Sequence, residues 1–472
     1  MGSGPVALCI DSRLDYTEQA APAIRSRLAE LLTLVGIAGA TPLAGLVRPG
    51  NTVLIKPNLV LERVSDPQGA LTNARVISAV VDAVLESLQG RGRIVIADVP
   101  LQSADFDAVQ RLTGLHECMD EYRRRGAPVE LLDLRKERLV IEQGMHRGLQ
   151  PLAGDPLGYA VVNLGNASEL AALGDARARF AVGDYDRETT AKYHMSSERN
   201  EYLIPRTVLA SDVVINVPKM KTHMKSGITC ALKNLVGICG HKSYLPHFRT
   251  GLPRDGGDEF AVDHPIKELQ RDVVDRLKSA NLVLYRTVRA LGRALLRVAL
   301  AREDPGLRRV LAGSWYGNDT LWRTILDLNK VLLYADADGA VHDQPQRRYL
   351  CVVDGIHSGE GEGPFTVSPR HDGVLLVGAN PVLVDLVVCL LMGFDPDAIP
   401  QVGRAFGIEQ LRLVEGGVDD YRGRLRDHVR ADQWPLPNLR YRMPSAWEGY
   451  VPRREQSRWE QRRTLQNGGS DR

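Results

Sequence analysis

The sequence of 472 residues lacks several patterns that would assign a function directly. It has no run of the roughly 18 apolar residues that a membrane span requires, so we expect no such span. It has no G-x-x-x-x-G-K-[ST] loop, which argues against a P-loop enzyme. The chain does not open on a basic segment followed by a long apolar run, so no secretory signal is readable.

Cysteine is scarce and scattered. No two cysteines are spaced C-x-x-C, so neither a zinc ribbon nor a ferredoxin-type iron–sulfur cluster is encoded locally; the residues are Cys9, Cys118, Cys230, Cys239, Cys351 and Cys389. Scattered cysteines in a chain of this length are more typical of a reducing compartment than of a disulfide framework. We therefore expect a cytoplasmic protein.

Net charge is also nearly absent, yet one stretch is strongly basic. The chain has 60 Lys+Arg and 58 Asp+Glu, which gives a formal net charge of +2. Residues 216–251 contain no carboxylate, whereas their basic and histidine residues are Lys219, Lys221, Lys225, Lys233, Lys242, Arg249, His223, His241 and His247. Such a stretch is either a solvated surface or a site for an anion.

Short apolar runs alternate with helical patterns, which predicts an α/β fold with mostly parallel sheets. A strand at 52–60, a helix at 73–89 and a strand at 92–100 form one such unit, and a further strand covers 213–217. Loops at the carboxyl ends of parallel strands carry ligands. We therefore expect the strand-end loops to form the site.

The chain divides into four regions. Residues 1–259 are predicted to form an N-terminal α/β region with a basic catalytic loop, 260–345 a helical insertion, and 346–433 a C-terminal α/β region. The insertion contains the arginine-rich segment 273–301, which could also bind a membrane surface or a partner helix. Residues 434–472 hold three of the five tryptophans and predict an arm that docks on the body or, in a homodimer, on a second subunit.

The residue types of the basic stretch suit acid/base chemistry on an anion. Lysines near a strand end can orient an anionic group, and a lysine buried among cations can act as a base or nucleophile. We predict that the catalytic residues are His223, Lys233, Lys221 and Lys219. We predict that the substrate is bound by Lys56, Asn58, Lys225, Asn234, Lys242, His247, Arg249 and Asp98. Because aromatic residues make up only 6% of the chain, a small anion is a better candidate than nucleic acid.

Three carboxylates near strand ends are candidate metal ligands: Asp354, Glu360 and Asp385. Converging carboxylates could hold a divalent cation or balance the lysines. Asp98 and Asp354 could instead cap loops, while Asp385, alone on an apolar helix, needs a buried partner or a ligand. The cofactor stays open, with a divalent metal as one option.

Four segments resemble the family known as domain of unknown function 362, over residues 50 to 410. They are IKPNLV, SDVVINVPKMKTHMKSGITCALKNLVGICGHK, VVDGIHSGEGEGPF and GANPVLVDLVV. Many members of that family carry an appended iron–sulfur region. This chain lacks the cysteines of such a region, so the resemblance does not imply an iron–sulfur cluster here.

A more distant likeness concerns His223 and Lys233, which lie ten residues apart. Lactate racemases that use a nickel pincer nucleotide have a similar histidine and lysine in a glycine-rich loop after a strand. There the histidine moves a proton and the lysine tethers the cofactor. This chain departs from the pattern, because Ala231 and Leu232 replace the paired glycines and the second nearby histidine is missing.

Three hypotheses about function follow. The first is an enzyme, of isomerase, lyase or cyclase type, that acts on a small anionic metabolite through lysine and histidine acid/base catalysis. The second is a transferase or ligase in which lysines bind phosphate and carboxylates hold a metal ion. The third is a non-catalytic binding or assembly protein, which the tryptophan-rich arm would favour.

Overall fold

The computed structural model of the protein describes residues 4–142, 145–183, 190–278, 291–292, 299–456 and 459. Its strands are β1 Val6–Ile10, β2 Thr52–Pro57, β3 Arg93–Asp98, β4 Val129–Asp133, β5 Glu137–Glu142, β6 Met145–Pro151, β7 Tyr159–Asn163, β8 Phe180–Ala181, β9 Glu201–Pro205, β10 Val213–Val217, β11 Lys219–His223, β12 Gly227–Thr229, β13 Phe248–Arg249, β14 Arg348–Glu362, β15 Thr366–Gly378 and β16 Val429–Ala431. Its α-helices are α1 Ala21–Leu34, α2 Pro67–Ala70, α3 Ala74–Leu88, α4 Phe106–Thr113, α5 Leu115–Arg124, α6 Arg206–Leu209, α7 Ala231–Asn234, α8 Ile266–Lys278, α9 Pro305–Arg308, α10 Leu321–Tyr334, α11 Pro381–Met392, α12 Pro400–Gly403, α13 Val418–Arg422 and α14 Leu425–His428.

A ten-stranded sheet forms the centre of the fold. Its main path runs β16–β1–β15–β14–β10–β2–β3–β4; off this path, β11 pairs with β14, and β12 pairs with β11. The strands from β14 to β4 are parallel, while β15 runs antiparallel to both β14 and β1. The predicted α/β fold with a mostly parallel sheet is confirmed.

Helices cover both faces of this sheet. On β2, Val53 and Ile55 pack into the apolar core that includes Ile77 of α3, whereas Leu54 packs into the core that includes Ile325 of α10. Strands that are buried on both faces carry apolar side chains at consecutive positions. This explains why the central strands read as continuous apolar runs in the sequence.

The strand order reverses between β2 and β10. From β2 the chain continues through α3 to β3 and β4 on one side, whereas β10 and β14 lie on the other side. In an open parallel sheet, such a reversal leaves a crevice beyond the carboxyl ends of the strands. The loops that follow β2, β3 and β10 therefore meet at one place.

The first part of the basic stretch is a buried strand, not the loop that the sequence predicted. Lys219–His223 form β11, which pairs with β12 and β14. The reason is visible in the sequence, because two lysines and a histidine alternate with Met220 and Thr222 at the period of a strand. The lysines of β11 can be buried because polar groups in the interior accept hydrogen bonds from them.

The two α/β regions, 1–259 and 346–433, share one sheet, since β1 pairs with β15 and β10 pairs with β14. Between them, the described part of 260–345 is largely helical, and α10 is buried along nearly its whole length as part of the core. The arginine-rich segment 273–301 lies largely outside the described residues. Within the described part of the chain, no helix has the length and apolar character that crossing a bilayer would take.

The described part of the C-terminal arm docks on its own chain. Trp447 is 1% exposed, and its Nε1 donates a hydrogen bond to the carbonyl oxygen of Met224 at 2.6 Å. Tyr441 is fully buried, and its hydroxyl donates to the carboxylate of Asp372. The arm therefore supports the turn that follows β11. A homodimer through this arm stays a prediction.

We expect Trp447→Ala to lower the free energy of unfolding by about 3–5 kcal/mol, because truncating a buried tryptophan leaves a cavity. Chemical denaturation would measure this loss. Glu448→Ala is the matched control, since the neighbouring Glu448 is exposed, and it should change stability by less than about 0.5 kcal/mol. Equal losses in the two variants would show that Trp447 does not anchor the arm.

Candidate functional site

A cavity of about 250 Å³ lies beyond the carboxyl ends of β2, β3 and β10. Its ionisable lining residues are Lys56, Lys225, Lys233, Lys242, His223, His247 and Asp98. Asn58 and Asn234 also line it, together with apolar side chains. The cavity thus contains every residue that the sequence predicted for substrate binding except Arg249.

Among the residues that the structure describes, Asp98 is the carboxylate that lines the cavity, and its charge is neutralised within the protein. Lys56 Nζ lies 2.7 Å from Asp98 Oδ1, and both side chains are almost completely buried. Gly237 permits a close approach to this pair, because a Cβ at that position would come within 2.4 Å of Asp98 Oδ1. Since the pair adds no net charge, the remaining lysines leave the cavity positive.

Asp385 holds the short helix α7 in place. Its carboxylate accepts hydrogen bonds from the backbone N–H groups of Ala231 at 2.7 Å and Leu232 at 3.1 Å. These groups are the buried partner that the sequence analysis required for Asp385. Burial raises the pKa of Asp385 to about 7. The cap fixes the backbone directly before Lys233.

Lys233 lines the cavity without a counter-ion. Among the residues that the structure describes, no acceptor lies within hydrogen-bonding distance of its Nζ. Burial, together with the charges of neighbouring lysines, chiefly Lys242, lowers the pKa of Lys233 to about 7. Roughly half of the Lys233 side chains therefore carry an uncharged amine at neutral pH.

Lys242 differs from Lys233 in having a fixed partner. Its Nζ donates a hydrogen bond to the carbonyl oxygen of Val99 at 3.0 Å. Burial lowers the pKa of Lys242 to about 8. At neutral pH it is therefore largely charged and can attract an anion.

The two lining histidines have opposite tautomers. The backbone N–H of Lys225 donates to His223 Nδ1 at 3.0 Å, so the neutral ring of His223 carries its proton on Nε2. His247 Nδ1 lies 2.8 Å from the carbonyl oxygen of Leu245 and must donate to it, which leaves Nε2 unprotonated. Burial and nearby lysine charges lower the pKa of both histidines well below 6.5. The two histidines therefore offer one hydrogen-bond donor and one proton acceptor.

A chain of side-chain amides connects the elements around the cavity. Asn58 Nδ2 donates to Asn234 Oδ1 at 2.8 Å, and Asn234 Nδ2 donates to Asn216 Oδ1 at 2.7 Å. Asn58 Oδ1 in turn accepts a hydrogen bond from Lys221 Nζ at 2.9 Å. Lys221 thus lies behind Asn58, and it is not among the residues that line the cavity.

Lys219 and Arg249 also lie outside the cavity lining. Lys219 Nζ is 3.0 Å from Asp354 Oδ2, and neither side chain is exposed. Arg249 Nη1 is 3.3 Å from Asp319 Oδ2. Lys219 and Lys221, two of the four predicted catalytic side chains, therefore take part in internal ion pairs and hydrogen bonds and do not line the cavity.

The three carboxylates proposed as metal ligands all bind protein groups. Asp354 pairs with Lys219, Asp385 caps α7, and Glu360 lies 3.2 Å from Arg370 Nη1. Within the described residues, no group of three His, Cys, Asp or Glu side chains is arranged to hold a metal ion. In this structure Asp354 and Glu360 pair with cationic side chains, whereas Asp385 binds backbone N–H groups.

Several residues of the cavity were missed in the sequence. Gln102 is 3% exposed, and neither polar atom of its side chain has a partner among the described residues. Pro364 and Phe365 come from the turn between β14 and β15, and Val182 and Gly183 follow β8. Long-range packing brings these residues to the cavity, and no local pattern marks them.

Comparisons with known proteins define the family. The profile of the family described as Domain of unknown function (DUF362) matches residues 53–152 and 166–390. Because this is more than half of the chain, the protein belongs to that family. Among solved structures, a crystal structure of a protein from Thermotoga maritima matches with 9% identity and a TM-score of 0.32. The match covers 74% of this chain and 53% of that one, so this chain spans about half the length of that protein. A search of curated proteins finds no match.

The likeness to nickel-pincer racemases concerns His223 and Lys233, and both line the cavity. The residues around them do not fit the nucleotide. Ala231 and Leu232, in place of the paired glycines, are fully buried, and their N–H groups bind Asp385. A cavity of about 250 Å³ is also smaller than the roughly 300–1,000 Å³ of sites for drug-sized ligands. It suits a smaller metabolite.

The cap on α7 can be tested with Asp385→Ala, which leaves two buried N–H groups without an acceptor. We expect the free energy of unfolding at pH 8 to fall by about 2–4 kcal/mol. The control is Asp419→Ala, which removes an exposed partner of Arg422 and should cost less than about 1 kcal/mol. If Asp385→Ala cost no more than this control, α7 would not depend on the carboxylate.

The lowered pKa of Lys233 predicts a pH-dependent stability. Between about pH 7 and 10.5 the unfolded chain holds a proton that the folded Lys233 has lost, so folding becomes more favourable as pH rises. The stability of the wild type relative to Lys233→Met should therefore increase by roughly 1–3 kcal/mol from pH 6 to pH 9. Denaturant titrations at both pH values would measure the difference. The same comparison with Lys136→Met, at an exposed position, should show almost none, and a flat difference for Lys233 would contradict the assignment.

Proposed function

We propose that the protein is an enzyme that binds a small anionic metabolite in this cavity and acts on it by lysine and histidine acid/base catalysis. The charge of the cavity is the observation that supports this most. Among the described residues, Lys225, Lys233 and Lys242 line it, and the lining carboxylate, Asp98, is already paired with Lys56. Desolvated cations interact strongly with an anion, because the surroundings screen the attraction less than water does.

The opposite tautomers of the histidines support distinct roles in proton transfer. Under this proposal, His223 Nε2–H donates to a substrate oxygen on which negative charge develops, and His247 Nε2 accepts a proton. A bound anion would offset the lysine charges and so raise the pKa of His247. Binding of the anionic substrate would thereby make His247 a stronger base. Isomerisation, elimination and ring closure all need this pair of groups.

The proposal predicts that anion affinity depends on pH. Lys233, with a pKa of about 7, and Lys242, with a pKa of about 8, must be protonated to attract an anion. Affinity should therefore fall as pH rises from 6 to 9, by up to about tenfold per pH unit for each titrating lysine. Calorimetry with malonate, succinate and inorganic phosphate would measure it. At pH 8, binding should also take up protons from the buffer.

Lys233→Met should weaken binding at pH 6 and flatten the pH dependence, whereas Lys136→Met should change neither. If no anion bound, or if the affinity were independent of pH, the anion site would be excluded. For any substrate that the wild type turns over, His223→Ala and His247→Ala should each lower kcat by roughly 10²–10⁴-fold. Unchanged turnover in both variants would exclude their proposed roles and favour a binding protein.

A further inference from the structure

We infer that Lys233 forms an imine with its substrate, and that the substrate is a small oxo acid, a molecule with both a carboxylate and a ketone or aldehyde. This inference rests on the proposed anion site and goes further, because it names Lys233 as the nucleophile and an oxo acid as the class of substrate. The geometry of the cavity lysines is the starting point. An attacking amine must reach a carbonyl carbon, and it must not be held by another group.

Lys233 differs from the other cavity lysines in the contacts that its side-chain nitrogen makes. Lys56 is bound to Asp98, and Lys242 donates to the carbonyl oxygen of Val99. Lys225 Nζ lies 5.3 Å from the centre of the Phe248 ring. Lys233, in contrast, lines the cavity with no hydrogen bond to any described residue. Of these lysines it is the one whose nitrogen can approach a ligand without first breaking such a contact.

The backbone that carries Lys233 is fixed on both sides. Asp385 binds the two N–H groups before it, and Asn234 after it bonds to Asn58 and Asn216. A nucleophile on a rigid element meets its target in a defined geometry, which is a large part of catalytic rate. The anchoring therefore suits a residue that reacts.

The surroundings keep the amine available at neutral pH. Among the described residues, the charged and titratable groups around Lys233 are Lys56, Lys221, Lys225, Lys242, His223, His247 and Asp98, of which Asp98 is paired with Lys56. Burial and the positive neighbours lower the pKa of Lys233 to about 7. An uncharged amine is the nucleophile in imine formation, and a cationic, desolvated site is a known means of providing one.

The step balances without an oxidant or reductant. The Lys233 Nζ lone pair adds to the carbonyl carbon, and the C=O electron pair moves to oxygen, which the His223 Nε2–H can stabilise. A proton passes from nitrogen to that oxygen. The resulting hydroxyl takes a second proton from the solvent and leaves as water while the nitrogen lone pair forms the C=N bond, which gives a protonated imine. The protonated imine withdraws electrons from the adjacent carbon. His247 Nε2 can remove a proton from that carbon, while the substrate carboxylate faces Lys225 and Lys242.

Borohydride trapping tests the imine directly. The intact protein is incubated with pyruvate or acetoacetate, reduced with sodium borohydride and digested with trypsin. We expect an adduct on Lys233, so that the peptide Ser226–Lys242 appears with cleavage after Lys233 lost. Labelling should saturate with oxo acid concentration, should decrease when propionate competes, and should exceed labelling of the exposed Lys136 by about tenfold or more.

Two variants separate this inference from the proposed function. Lys233→Arg keeps the positive charge but cannot form an imine, so calorimetry should still detect oxo acid binding while labelling disappears. Lys136→Met removes an exposed lysine outside the cavity and should leave the adduct on Lys233 unchanged. Thermal melts would confirm that both variants fold.

The outcomes are distinct. Saturable labelling of Lys233 supports the imine. Binding of pyruvate, acetoacetate and propionate without an adduct, or labelling that follows exposure alone, overturns the imine and leaves the anion site standing. If these acids neither bind nor label, both the imine and the anion site are overturned.

Discussion

The burial of positive charge beyond the carboxyl ends of the central strands is the constraint on which the rest of the structure depends. Taking an ammonium group out of water costs several kcal/mol unless fixed acceptors replace the solvent. Lys56 and Lys219 have such acceptors in Asp98 and Asp354. Lys233 has none among the described residues. Among the described residues, Lys233 thus lacks the acceptor that Lys56 and Lys219 have, and a bound anion could serve as that acceptor.

Topology explains why these cations meet. Lys56 ends β2, Asp98 ends β3, and the basic stretch follows β10, so three strand ends of one parallel sheet converge at the reversal of strand order. The antiparallel pair β14 and β15 closes the cavity from the other side with Pro364 and Phe365. The site therefore depends on elements from both halves of the chain and could not form in either alone.

Much of the fold could be predicted from local sequence patterns, whereas features that depend on long-range contacts could not. The helix at 73–89 and the strand at 213–217 could be predicted, because periodicity is local. For Asp385, the sequence indicated only that a buried partner was needed. The partner itself could not be predicted, since Ala231 lies 154 residues away. The strand β11 was mistaken for a loop because lysines are rare in buried strands. Gln102 and Phe365 carry no local signal at all.

Under the proposed function, the orientation of the substrate would follow from backbone groups that no side-chain pattern encodes. The tautomer of His223 is set by the backbone N–H of Lys225, and that of His247 by the backbone carbonyl of Leu245. Backbone groups therefore determine which histidine donates and which accepts at Nε2. Under the proposed function, a substrate with an oxygen at His223 and a C–H bond at His247 would be oriented by the two rings, with its carboxylate drawn to the remaining lysines. Reversing it would set an oxygen lone pair against the unprotonated nitrogen of His247, which is repulsive.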